Sequence, residues 1–170
     1  MEEFLSAPEI KRVKFLGLYQ ALSGALGIFI TIWALAQTEI ITGIVLAMII
    51  TMLSFYSFSI YAGKLLINDR YEGLLISMIN QSIQILNLSF AGMSYKFVSG
   101  SAFFINLDLT KSLSIKFEFN FPTFLLSYNR NYELSVFGVN IVAIILLLSL
   151  NKIREGIKEK RQLQVAQSAL

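Results

Sequence analysis

Cysteine and histidine are both absent from this 170-residue chain, and proline occurs only twice. Their absence excludes disulfides, haem held by His or Cys, Cys₂His₂-type zinc, cysteine nucleophiles and histidine general bases. Charge is scarce as well: Asp, Glu, Lys and Arg make up 15% of the residues, so long stretches carry none. Apolar side chains fill the gap. A hydrophobic share of 55% and a mean hydropathy of +0.65 depart from the soluble average and point to an integral membrane protein. The formal net charge is only +3, and no basic stripe with interleaved aromatics is present, which speaks against nucleic acid as a partner.

Ser6-Ala7-Pro8-Glu9 has the form of a capping box with Pro in the first turn, so a helix is expected to begin there. After Lys11, Arg12 and Lys14 the run from Phe15 to Ala36 is uncharged and long enough to span a bilayer. Ala34-Leu35-Ala36 imitates a signal-peptidase site. The run is longer than a signal core, however, and Glu2, Glu3 and Glu9 precede it, so a retained first span is expected. Gln37, Thr38 and Glu39 lead into a second uncharged span, Ile40 to Ala62, and so short a link implies an antiparallel hairpin. Lys64, Asp69, Arg70 and Glu72 mark a charged turn before a third apolar stretch, and a fourth begins at Leu134.

The expected fold is therefore an all-α membrane protein, one integral domain over 1–170 built as a four-transmembrane-helix bundle. Its helices are expected at about 15–36, 40–62, 73–94 and 134–150, with a small β-hairpin-containing extracytoplasmic loop at about 95–133 between helices 3 and 4, and a tail at 151–170. With both termini on one side, that side receives ten of the 14 Lys and Arg residues, and the other receives only Lys96, Lys111, Lys116 and Arg130. The positive-inside rule then places both termini in the cytoplasm, or in the matrix or stroma of an organelle. Trp33, Tyr56, Tyr61 and Tyr95 suit interfacial belts.

On a continuous third helix, Ser77, Asn80, Gln84, Asn87, Ala91 and Ser94 would share an arc of about 100°. Amides are costly in hydrocarbon, so this stripe should form an interhelical polar seam, with Gln20 and Asn140 as partners, or else line a pathway. Small residues offer close-packing faces: Gly17, Gly24 and Gly27 on the first helix, Gly43 and Ala47 on the second.

Beyond Tyr95 the period changes to two. Ile105, Leu107 and Leu109, then Leu113, Ile115, Phe117, Phe119 and Phe121, alternate with polar residues. An odd-length turn centred on Lys111 pairs Leu107 with Ile115 and Ile105 with Phe117 on one face, whereas a two-residue turn would mismatch the faces. An isolated hairpin is marginal, so its apolar side, Leu113 to Phe121, is expected to face a partner.

No Gly-rich phosphate loop, metal cluster or nucleophile elbow is present. No apolar span holds the ionisable group of a coupled carrier. Tetraspanin-like topology lacks its Cys-Cys-Gly motif here, and small multidrug transporters need a membrane-embedded Glu, whereas Glu9 precedes the span. The expectation is a non-enzymatic, cofactor-free, multi-pass membrane protein, an accessory or assembly subunit of a larger membrane complex. Its partners would be membrane lipids and either other proteins or further copies of itself. The alternative is an oligomeric channel or small-solute transporter lined by the amide stripe.

Overall fold

A computed structural model describes residues 2–128 and 133–168; Arg130, one of the four outer cations, lies outside the described residues. Helix α1 (Ala7–Ala36) starts where the capping box requires, with the Ser6 backbone N–H donating to Glu9 Oε2 at 2.8 Å. Helix α2 (Gly43–Ile67) is capped by Thr42, whose Oγ1 accepts from Val45 N at 3.3 Å. These two are the helices long and apolar enough to cross a membrane among the described residues.

The all-α, four-span expectation is overturned downstream of them. Helix α3 (Tyr71–Ile83) ends eleven residues early, and the remainder of the expected third span folds as β1 (Leu86–Phe90) and β2 (Met93–Val98). Between them Ala91 and Gly92 have φ of 50° and 79°, both in the left-handed region that a two-residue primed turn needs. The expected fourth span begins instead as β6 (Val136–Asn140), and α4 (Ile141–Ser168) opens only at Ile141. With β3 (Ala102–Asp108), β4 (Ser114–Asn120) and β5 (Thr123–Ser127), the strands form one antiparallel sheet of six, ordered β4-β3-β6-β1-β2-β5. The chain is thus four helices plus this sheet. The physical reason is alternation: in Leu86-Asn87-Leu88-Ser89-Phe90 every second residue is polar, and Ala91-Gly92 supplies the turn. A helix would place Asn87 and Ser89 on widely separated faces, whereas a strand gathers them on one.

β3 and β4 pair Leu107 with Ile115 and Ile105 with Phe117, the register that a turn centred on Lys111 dictates.

At one end of the molecule all four helices share an apolar core. Val13 and Leu16 of α1, Leu66 of α2, Leu74 of α3, and Leu150, Ile153 and Ile157 of α4 are buried against one another. Above that core α1 and α2 continue together as a hairpin in unusually close contact. A side chain on Gly17 would fall 2.8 Å from Gly63 O, and one on Gly24 would fall 2.7 Å from Tyr56 O. Tyr56 therefore belongs to this helix contact, buried against Gly27, rather than to an interfacial belt.

Candidate functional site

A polar layer separates the helical core from the sheet. Asn80 on α3 donates from Nδ2 to Ser59 Oγ on α2 at 3.1 Å, and Ser59 Oγ lies 3.1 Å from Ser99 Oγ in the β2–β3 turn. Gln84, just past α3, accepts at Oε1 from Ser99 N at 2.9 Å and donates from Nε2 to Asn80 O at 3.1 Å. Ser77 donates to Ala62 O at 3.4 Å, and Tyr19 Oη accepts from Ser101 N at 2.8 Å. The side-chain amides of Gln84 and Asn80 and the Ser99 hydroxyl thus solve a junction problem. Where helix gives way to strand, backbone groups lose their regular partners and side chains replace them. Within this layer both amide atoms of Gln20 and Oδ1 of Asn80 have no hydrogen-bond partner among the described residues, each in a side chain fully enclosed by protein.

Asn140 closes the layer. Its Oδ1 accepts from Val142 N at 3.1 Å and Ala143 N at 3.4 Å, capping α4, and from Phe103 N at 3.3 Å, while Nδ2 donates to Gln84 O at 3.3 Å. One amide therefore fixes β6, β3, α3 and α4 together. Asn140→Ala removes the cap and strands the Phe103 N–H, which should cost about 2–3 kcal/mol. The expected result is a fall in melting temperature of about 5–10 °C; an unchanged melt would show that solvent replaces the cap.

The sheet is polarised the wrong way round for a soluble protein. Register places Asn87, Lys96, Asn106 and Glu118 on one face, and these side chains bond to one another. Asn87 Nδ2 donates to Asn106 Oδ1 at 2.7 Å, Asn106 Nδ2 to Glu118 Oε2 at 3.0 Å, and Lys96 Nζ reaches both carboxylate oxygens of Glu118 at 2.8 and 2.9 Å. Gly138 lies beneath this chain of bonds because a Cβ there would collide with the Asn106 carbonyl oxygen. Lys96 sits on β2 and Glu118 on β4, fifth and first in strand order. Flat, those strands would lie about 19 Å apart, so the 2.8 Å contact means that the sheet curls tightly around its polar face. Phe104, Ala102 and Val98 form an apolar floor to that interior, with the Lys96 ammonium 5.4 Å from the Phe104 ring centre.

At the open end, Asp108 and Lys116 pair at 2.6 Å and, with Thr110, Lys111 and Ser114, line a depression of about 410 Å³. The Lys116 ammonium, followed by the Thr110 hydroxyl and N–H, holds the Asp108 carboxyl well below the usual carboxylate range. Because the depressed value belongs to the folded state, the stabilisation is present at neutral pH and fades as acid protonates Asp108.

The opposite face is apolar throughout. On β1, β3, β4 and β6 every outward residue is Leu, Ile, Val or Phe: Leu86, Leu88 and Phe90; Phe103, Ile105 and Leu107; Ile115, Phe117 and Phe119; Phe137 and Val139. Only at β2 and β5 does the chain cover this face. There Phe97 and Phe124 pack on Phe55 of α2, ring centres 4.9 and 5.9 Å apart.

The residues singled out in the sequence therefore lie in several environments. Ser77, Asn80, Gln84 and Asn140 belong to the polar layer, Gln20 is buried beside it, and Asn87 lies on β1 inside the curled sheet. The stripe is consequently not one helical face: Ala91 is in a turn and Ser94 on β2. Gly17, Gly24 and Gly27 line the α1–α2 contact, whereas Gly43 and Ala47 are exposed and α2 meets α1 through Gly63 and Tyr56. Leu113 and Phe121 flank β4, which carries Ile115, Phe117 and Phe119, and all five side chains are uncovered. The alternation with Ile105 and Phe117 puts Asn106 and Glu118 on the polar side of their strands, but that Lys96 joins them follows from the strand order and not from any spacing in the sequence. Comparison with family models, curated proteins and solved structures finds no match to this chain.

Proposed function

We propose that this chain is an integral membrane protein that crosses the bilayer twice with the α1–α2 hairpin and acts without chemistry of its own, as an accessory or assembly subunit of a larger membrane complex. The observation that supports this reading is how the polar groups are spent. Lys96, Glu118, Asn106 and Asn87 satisfy one another, and Ser59, Ser99, Gln84 and Asn140 tie elements together, so these side chains serve the architecture instead of facing a substrate. Lys14 pairs with Asp69 at 3.4 Å, and Lys160 donates to Phe4 O at 2.8 Å, so the basic residues of the N-terminal segment, the α2–α3 turn and α4 gather at one end. By the positive-inside rule that end is cytoplasmic. Past Ile157, its last core residue, α4 runs on to Ser168 as a helix that leaves Leu163 and Val165 exposed, an arm available to a partner.

Purification from native membranes in mild detergent should recover a partner in stoichiometric amount, and a chain shortened to residue 161 should keep its melting temperature while losing that partner. A solitary monomer on a sizing column would overturn the accessory role.

A further inference from the structure

The outer face of the sheet has no cover within the chain over β1, β3, β4 and β6, and Phe117, midway along the edge strand β4, is 67% exposed. We propose that this face lies against the acyl chains of the bilayer, so that the curled sheet is embedded beside the helical hairpin with its polar side turned inward. The proposal rests on the hairpin reading of α1 and α2, and not on the accessory role.

Height carries the argument. The polar layer supplies a common level, marked by Ser59 on α2, whose Oγ lies 3.3 Å from the carbonyl oxygen of Gln20 on α1, and by Ser99 at the end of β2. Register sets Val98, Ala102, Asn120 and Asn140 at this end of the strands and Phe90, Asp108 and Ser127 at the other. The strands rise on the side opposite α3 and α4, since Phe97 packs on Phe55, about one turn above Ser59. From the layer, α1 climbs from Gln20 to Ala36 and α2 from Ser59 back to Gly43, about 24 Å each at 1.5 Å per residue. β3 climbs from Ala102 to Asp108, about 20 Å at 3.3 Å per residue.

Both rises end in polar chemistry, at Gln37, Thr38 and Glu39 above the helices and at Asp108, Thr110 and Lys111 at the upper end of the strands, where the Lys116 ammonium reaches up from β4 to Asp108. Below the layer, Lys14 and Lys64 follow within about 9 Å. The uncharged run Phe15 to Ala36 is about 32 Å long, against a hydrocarbon core of about 30 Å. The sheet therefore stands inside the thickness that the hairpin defines. Its polarity agrees, since a wall apolar outside and polar inside is the pattern of membrane β-structure and the reverse of a soluble sheet.

Open strand edges are the standing objection to β-structure in hydrocarbon. Here the two edge strands, β4 and β5, are joined by Phe121 and Pro122 alone. The Lys96–Glu118 bridge draws β4 towards β2, the neighbour of β5, so the edges turn towards the polar interior and each other instead of towards lipid.

The test uses tryptophan depth. Trp33→Phe removes the only tryptophan, and single reporters are then placed by Leu26→Trp on the hairpin, Phe117→Trp at the matching height on the sheet, and Leu163→Trp on the α4 arm. Each variant is reconstituted into phosphatidylcholine vesicles brominated at mid-chain. The expected result is an equal fractional loss of emission at positions 26 and 117 and none at 163. Quenching at 26 without quenching at 117 would overturn the embedded sheet and leave the spanning hairpin standing. Absence of quenching at both would overturn the hairpin reading and the proposal with it. Should Phe117→Trp fail to fold, Phe119→Trp, on the same face of β4, gives the same readout.

Discussion

Replacing Gly63 with leucine is expected to drive α1 and α2 apart and to cost about 3 kcal/mol or more. In a chain of this size that is a fall in melting temperature of at least about 6–12 °C. The reason is what a Cβ at position 63 would meet: the backbone oxygen of Gly17, the backbone nitrogen of Ala21 at 2.7 Å and the Ala21 Cβ at 3.1 Å. Backbone atoms have no rotamer to retreat to, so one helix must move, and Gly24 and Gly27 would lose their contacts with Tyr56 in the same displacement. Gly43→Leu is the control. Nothing lies within 4 Å of its Cβ position, so the change should stay within about 0.5 kcal/mol. If the Gly63 variant melts like the parent, the close approach of the two helices does not hold the hairpin together.

Glu118→Leu should be comparably damaging, for an electrostatic reason. Lys96 is 9% exposed, and its ammonium is held by the Glu118 carboxylate, with the Phe104 ring as its other neighbour. Leaving a charge unpaired in such a place costs about 3–5 kcal/mol. Glu118 itself is more open to solvent, so Lys96→Met should cost less than Glu118→Leu. The double variant Lys96→Met with Glu118→Leu should recover most of the loss and retain only the penalty for the abandoned Asn106 amide, about 1 kcal/mol. Thermal melts of the four proteins form a double-mutant cycle. Additive losses would mean that the two side chains do not act as a pair.

The helical hairpin was legible because its signal is length: an uncharged run from Phe15 to Ala36 and another from Ile40 are each long enough for a long helix, and the three residues between them leave room only for an antiparallel turn. The β3–β4 register was legible because a side-chain period of two leaves a single turn length that keeps Ile105 and Phe117 on one face. The third and fourth spans misled because hydropathy sums over residues and discards their order. Between Gly73 and Ser94 the helical spacing of Asn80, Gln84 and Asn87 and the strand alternation of Asn87 and Ser89 overlap, and the shared Asn87 served both patterns. The feature that separates them is Ala91-Gly92, a turn no spanning helix needs. The wall of the sheet was concealed for a different reason. Its inner partners Lys96, Asn106 and Glu118 come from three strands, and only the strand order brings them together.

That strand order also dictates a sequence of events in biogenesis. β6 lies between β3 and β1, yet it is the last strand in the chain. Residues 86–127 therefore leave the ribosome as two pieces, β1-β2-β5 and β3-β4, that share no edge until Val136–Asn140 arrives to pair with both. Assembly from such distant segments is slow compared with closing a hairpin. During that interval the apolar walls of both pieces and their unpaired edges are open to misassociation. The α1–α2 hairpin is complete far earlier, so the half-built sheet waits beside a finished pair of helices, and ribosome release just before Val136 should yield a chain whose hairpin is formed but whose sheet is not yet closed.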